Sequence, residues 1–217
     1  MKIGILGSGM VGQTLARGFQ AEDHEVRIGS RDGHAVENWD GEVGKFAEIV
    51  DWAEVVVLAV KGAAAEEVVE DLKKNLAGKS VIDTTNPLSD APVQDGVLSY
   101  FTGPNESLME RLQTIAPDAH FVKAFNSVGS ALMVHPDFGD TLPTMFIAGN
   151  DDEAKNQTAV LLKELGWEVE DLGKAAGARA IEPLCMLWCI PGFLHNDWSH
   201  AFKLLKKNQP AEEVIEG

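Results

Sequence analysis

The apolar run Lys2-Ile3-Gly4-Ile5-Leu6 passes directly into Gly7-Ser8-Gly9-Met10-Val11-Gly12 and then into a helical pattern reaching Ala21. Strand, glycine turn and helix in this order restrict the chain to a βαβ opening, and the G-x-G-x-x-G spacing in that context is the dinucleotide fingerprint. Gly7 permits the tight turn, Gly9 leaves room for a pyrophosphate against the backbone, and Gly12 lets the helix lie close to the strand. The anion is expected on the unpaired N–H groups at the helix start, where the helix dipole is positive.

The tip of the second strand bears on which dinucleotide is bound. An NAD site usually carries an acid there to accept the ribose 2′-hydroxyl. Here Glu25-Val26-Arg27-Ile28 is followed by Gly29-Ser30-Arg31, a hydroxyl and a guanidinium where the acid would stand. An Arg fork suits a 2′-phosphate and stacks on adenine, so NADP(H) is expected over NAD. The competing possibility is that Arg31 is a solvated loop charge and Asp32 beside it is the ribose ligand.

A net charge of −16 argues against nucleic acid and anionic membrane surfaces as partners. With 45% hydrophobic residues the chain can bury a sizeable core. Cys185 and Cys189, four apart, are no disulfide framework, and no secretory signal or long apolar span stands out, so a reducing, cytoplasmic setting is expected.

Further β-strand candidates are Val55–Val60, Ser80–Thr84, His120–Ala124, Met145–Ala148 and Glu168–Asp171, alternating with helical patterns at Val11–Ala21, Lys45–Trp52, Ala64–Leu76, Glu106–Ile115 and Asp152–Leu165. This rhythm implies an α/β, Rossmann-type, doubly wound parallel sheet. Residues 1–172 form the expected nucleotide-binding domain, and 173–217 a short C-terminal helical segment. That segment reads as a helix interrupted near Pro183, a break at Pro191-Gly192, and a second helix carrying His195, Trp198, His200 and Phe202. Residues 86–104, rich in Pro and Gly, form a connection long enough to suggest a functional loop.

In such sheets ligands lie beyond the carboxyl ends of the strands. Those positions here are Gly7–Gly12, Ser30-Arg31, Lys61-Gly62, Thr85-Asn86-Pro87 and Phe125-Asn126-Ser127. Asn86 and Asn126 are candidate cofactor contacts. No histidine stands out as a catalytic base, which hydride transfer between two aromatic rings does not require. Zinc at Cys185, Cys189, His195 and His200 is disfavoured by the apolar helix that holds the cysteines.

Together Gly7–Gly12, Gly29-Ser30-Arg31, Val56-Leu58-Ala59-Val60, Asn86-Pro87, Val122-Lys123-Ala124-Phe125-Asn126 and Ala178-Arg179-Ala180-Ile181-Glu182 resemble the F420-dependent NADP oxidoreductase family. The pattern is also similar to the cytosolic reductase domain of the membrane-bound STEAP ferric reductases. The resemblance covers nearly the whole chain. It implies NADP(H) on the N-terminal domain, a C-terminal cover that helps make a homodimer, and a flavin or deazaflavin such as F420 as hydride partner. It places Ser8, Gly9, Met10, Val11, Ser30 and Arg31 at the phosphates and Val60 and Lys61 along the middle of the cofactor, with Asn86, Pro87, Ala124 and Asn126 completing the expected contacts. Lys203, Lys206 and Lys207 are candidate partners for the anionic tail of F420. Two departures stand out: the family's F420-specific members often carry a longer glycine turn, and the chain is strongly acidic. The rival readings are a reductase of a small imine or carbonyl and a non-catalytic NADP(H)-binding regulatory module.

Overall fold

The computed structural model describes residues 1–207; positions 208–217 of the expected C-terminal segment lie outside the described residues. The strands are β1 (Lys2–Leu6), β2 (Glu25–Ser30), β3 (Val43–Lys45), β4 (Val55–Leu58), β5 (Ser80–Asp83), β6 (His120–Lys123), β7 (Thr144–Gly149) and β8 (Glu168–Asp171). They form one sheet in the order β3-β2-β1-β4-β5-β6-β7-β8. The helices are α1 (Met10–Ala21), α2 (Phe46–Trp52), α3 (Gly62–Leu76), α4 (Leu108–Ile115), α5 (Asp152–Glu164) and α6 (Ala178–His195).

Strand order reverses between β1 and β4, which creates the crevice that doubly wound sheets use for ligands. Alternation along the strands divides the core between the two faces. Ile3, Ile5, Ile28, Val55 and Val57 pack with Leu15 and Phe19 of α1 and Leu161 and Leu162 of α5. Leu6, Val56, Leu58 and Val81 pack with Ile49 of α2, Val69 and Leu72 of α3, and Leu112 of α4.

The sheet is parallel from β3 through β6, whereas β7 runs antiparallel to β6 and β8 pairs parallel with β7. This is the expected Rossmann-type doubly wound sheet, mostly parallel, with β6–β7 as its one antiparallel pairing among the described residues. Between β6 and β7 the only helical element is the 3-10 turn Ser130–Leu132, so the chain returns from the same end of the sheet instead of crossing over. Strand β3, only three residues with Gly44 at its centre, is an edge strand that sequence periodicity does not reveal.

The C-terminal segment departs most from expectation. Helix α6 runs unbroken through Pro183 and Pro191 and ends on Asn196, which adopts the left-handed conformation (φ 54°). Each proline removes one intrahelical bond, but the stripe Ala178, Ile181, Glu182, Cys185, Trp188 and Gly192 is buried, and that packing holds the helix together. The expected second helix is absent. Residues 196–207 form an irregular strap, with Phe202 C=O accepting from Thr144 N–H at 2.8 Å and Leu204 N–H donating to Thr144 Oγ1 at 3.1 Å. Trp188 anchors the strap: its Nε1–H donates to His200 C=O at 2.7 Å, and its ring packs on those of Trp198 (5.6 Å) and His200 (5.1 Å).

Lys203 and Lys206 are not a free basic patch. They reach Glu168 Oε2 (2.6 Å) and Glu170 Oε2 (2.5 Å), which fasten the strap to β8. Trp188→Ala is expected to cost about 3–5 kcal/mol in urea unfolding, the scale for emptying a buried Trp site. A variant as stable as the parent would show that the strap does not depend on this ring.

Candidate functional site

The loops at the carboxyl ends of the strands are joined by direct backbone approach. Gly7 N–H donates to Gly29 C=O at 3.1 Å. Gly7 has φ +129°, a conformation that side chains resist, and a Cβ there would lie 2.3 Å from Ala59 C=O. On Gly12 it would lie 2.0 Å from Gly7 C=O, and on Gly62 1.8 Å from Asn86 C=O. Asn86 Nδ2–H donates to Asn126 C=O at 2.9 Å, and Asn126 Nδ2–H donates to Asn86 Oδ1 at 3.2 Å and to Ile181 C=O at 3.0 Å. These contacts bring together the fingerprint turn, the starts of α1 and α3, the Asn86–Asn126 pair and α6.

Gly9 differs from the other fingerprint glycines. A Cβ on it would have nothing within 4 Å, so the space beside it is open to a ligand. Helix α1 starts there without a side-chain cap, and Met10, its first residue, is 75% exposed. Helix α3 likewise starts uncapped after Lys61. Neither carries an acid in its first turn, in a chain with 34 acidic residues. The first turns of α2, α4 and α5 carry Glu48, Glu110 and Asp152 with Glu153, and their N-termini are closed by Glu48, Ser107 with Glu110, and Asp151. Positive, unfilled helix ends on α1 and α3 therefore face the switch point, a setting suited to phosphate.

The remaining expected contacts fall in three groups. Ser8, Lys61 and Arg31 are exposed, Val11, Val60 and Asn86 are half-buried, and Ser30 closes β2 with its hydroxyl 3.3 Å from Asp32 Oδ1 and 3.2 Å from His34 C=O. Asp32, the candidate ribose acid, is engaged locally: its Oδ2 lies 2.8 Å from His34 Nδ1, and the His34 backbone N–H holds its pKa below the ordinary aspartate value. Arg31 takes part in no ion pair among the described residues, so its guanidinium is available to a 2′-phosphate. By contrast, Pro87, Ala124 and Asn126 are buried, and Ala124 has no exposed surface. Asn126 Oδ1 is buried without a hydrogen-bond partner among the described residues.

Sequence reading assigned no role to the ionic cluster beneath these loops. Lys123 Nζ, with no exposed surface, lies 2.7 Å from Asp83 Oδ2, 3.0 Å from Glu182 Oε1 and 2.8 Å from Thr85 C=O. Asp83 Oδ1 accepts from Thr85 N–H (2.9 Å) and Oγ1–H (2.7 Å), and the Glu182 carboxylate accepts from Leu108 and Met109 N–H at the start of α4 (2.9 and 3.0 Å). Burial works against the Lys123 charge, yet the Asp83 and Glu182 carboxylates outweigh it and raise its pKa. The available signal was a lysine and an aspartate ending apolar strand runs and a glutamate inside an apolar helix. Cys185 and Cys189 interact with each other: the hydrogen bond to Cys189, and then burial, push the Cys185 thiol up, and the same hydrogen bond lowers Cys189. Among the described residues no group of three His, Cys, Asp or Glu side chains is arranged to hold a metal ion.

The sequence model of the coenzyme F420-dependent NADP oxidoreductases matches residues 2–87. A proposed F420-dependent NADP reductase of Arthrobacter sp. FB24, solved by crystallography, is 32% identical; the alignment covers 95% of this chain and 100% of that one, with a TM-score of 0.87. The chain belongs to the F420-dependent NADP oxidoreductase family. Its members are NADP-dependent oxidoreductases, and this chain is one. Rat metalloreductase STEAP3 is 29% identical over 201 residues, covering 89% of this chain and 39% of that protein, so the chain spans about two fifths of this curated relative. A pyrroline carboxylate reductase of Plasmodium falciparum, solved with NADP bound, shares the fold alone, at 15% identity and a TM-score of 0.56 over 79% of this chain and 57% of that one.

Two variants test the residue assignments. Gly9→Val is expected to leave circular dichroism and melting unchanged while abolishing calorimetric NADPH binding; a variant that binds normally would place the pyrophosphate elsewhere. Arg31→Ala is expected to weaken NADPH by about 1.5–3 kcal/mol, the scale of a hydrogen bond to a charged group, and leave NADH little changed. Equal losses for both cofactors would remove Arg31 from the 2′-phosphate site.

Proposed function

We propose that this chain transfers hydride directly between the nicotinamide of NADP(H) and a flavin- or deazaflavin-type ring. The observation that carries the reading is the pair of uncapped, acid-free helix starts converging with the Asn86–Asn126 pair on one crevice. Gly9 and the start of α1 would hold the pyrophosphate, Ser30 and Arg31 the 2′-phosphate, Val60 and Lys61 the middle of the cofactor, and the Asn86 and Asn126 loop ends the nicotinamide. Bound there, NADPH supplies the hydride, and the protein aligns the rings and excludes water, a task that needs no general base.

The acceptor is a compact ring system. Among the described residues Lys203 and Lys206 pair with Glu168 and Glu170, so they are not a free patch for the anionic tail of F420. The test is NADPH oxidation assayed side by side with FMN, FAD, F420 and a ferric chelate. Turnover with FMN, FAD or F420 is the expected result. Tight NADPH binding without turnover by any of them would make the chain a cofactor-sensing module.

The working unit is a homodimer in a reducing, cytoplasmic setting, consistent with two free cysteines. Its partners are small molecules, since the charge of −16 repels nucleic acid and anionic membranes. Among the described residues no helix is long and apolar enough to cross a membrane. The dimer face is formed by the outward side of α6 and the 86–104 loop, where Leu187 (54% exposed), Leu194 (52%) and Val97 (41%) are apolar and open. Leu187→Asp with Leu194→Asp is expected to convert dimer to monomer in light scattering. A monodisperse monomer in the parent protein would contradict the assignment.

A further inference from the structure

A fully buried ion cluster is a poor way to stabilise a fold, because apolar side chains of similar volume often do as well or better. The cluster of Lys123, Asp83 and Glu182 also holds one excess negative charge, set against the Leu108 and Met109 N–H groups at the start of α4. Its geometry accounts for it better than its energy does. The three oxygens around Nζ belong to the end of β5, the loop that follows it, and α6, while Lys123 itself ends β6. Each segment leads within a few residues to the amide pair. Thr85 precedes Asn86, Lys123 leads to Asn126, and Ile181, whose carbonyl binds Asn126 Nδ2, precedes Glu182. Between Lys123 and Asn126 stands Phe125, fully buried and held at φ +60°, a strained backbone that persists only where its surroundings over-determine it. Tyr100 adds a further tie, its O–H donating to Glu182 C=O at 2.7 Å.

We propose that Lys123 is a positioning residue: through Thr85, Asp83 and Glu182 it fixes the Asn86–Asn126 pair, and through that pair the nicotinamide ring, in the geometry that hydride transfer needs. The inference rests on the reading in which the ring lies at these loop ends. The adenine and phosphate contacts at Gly9, Ser30 and Arg31 belong to the other half of the crevice, so loss of the cluster should loosen the ring without releasing the cofactor. Misplacement by about 1 Å can reduce a transfer rate on the order of 10²-fold.

The experiment compares the parent protein, Lys123→Met, and Lys123→Met/Asp83→Asn in NADPH calorimetry and in time-resolved fluorescence anisotropy of the bound reduced nicotinamide. The single variant leaves two buried carboxylates uncompensated and is expected to melt early. The double variant keeps the parent's net charge in the cluster while removing the ammonium. In the parent, anisotropy is expected to decay with tumbling of the whole protein. The double variant is expected to keep NADPH affinity and to add a fast local decay of the ring. A double variant that holds the ring as firmly as the parent would overturn the proposal. So would one that unfolds or loses NADPH affinity together with ring order, since the cluster would then support the fold as a whole. Failure of the parent itself to bind NADPH or to immobilise the ring would instead overturn the functional reading on which the proposal rests.

Discussion

Close backbone approach at the point where strand order reverses is the constraint on which the site depends. The fingerprint turn, the loop after β4 and the loop after β5 touch through atoms that a single Cβ would drive apart: Gly12 against Gly7, Gly7 against Ala59, and Gly62 against Asn86. These contacts bring the starts of α1 and α3 to one crevice. Within the motif Gly7 and Gly12 are crowded, and of the three glycines only Gly9 has open space where a Cβ would stand. A packed scaffold around one vacant, positively polarised position is how backbone geometry becomes a nucleotide site.

Charge distribution reinforces the steric argument. An acidic chain would fill helix N-termini with carboxylates if dipole stabilisation alone decided their composition, and it does so on α2, α4 and α5. Helix α6 is bare too, but it continues directly from the 3-10 turn Ala175–Gly177, whereas leaving α1 and α3 bare forgoes that stabilisation where an anionic ligand can supply it instead. Beneath the crevice the opposite strategy operates: Lys123, Asp83 and Glu182 are buried and ion-paired with one another.

The fold was largely legible in the sequence because its signals are local. Apolar runs, the glycine turn and the acidic start of α5 each mark an element within a few residues. The Asn86 and Asn126 positions followed from the rule that ligands gather past strand ends. What escaped was non-local. Strand β3 pairs at an edge that no periodicity announces, and β7 reverses because a crossover helix is missing. Helix α6 survives two prolines because its buried stripe, including Trp188, packs on the sheet, a tertiary effect that overrides local breakers. Lys123 and Glu182 were visible as charges in apolar contexts, but their pairing joins positions 59 residues apart, which spacing alone does not reveal.

A crystal structure of the chain with NADPH would test the central claim most directly. The account predicts pyrophosphate oxygens on the backbone N–H groups at the start of α1 beside Gly9, the 2′-phosphate within reach of Ser30 and Arg31, and the nicotinamide at the Asn86 and Asn126 loop ends. Density for the cofactor elsewhere on the protein, or a pyrophosphate away from the Gly9 opening, would contradict it.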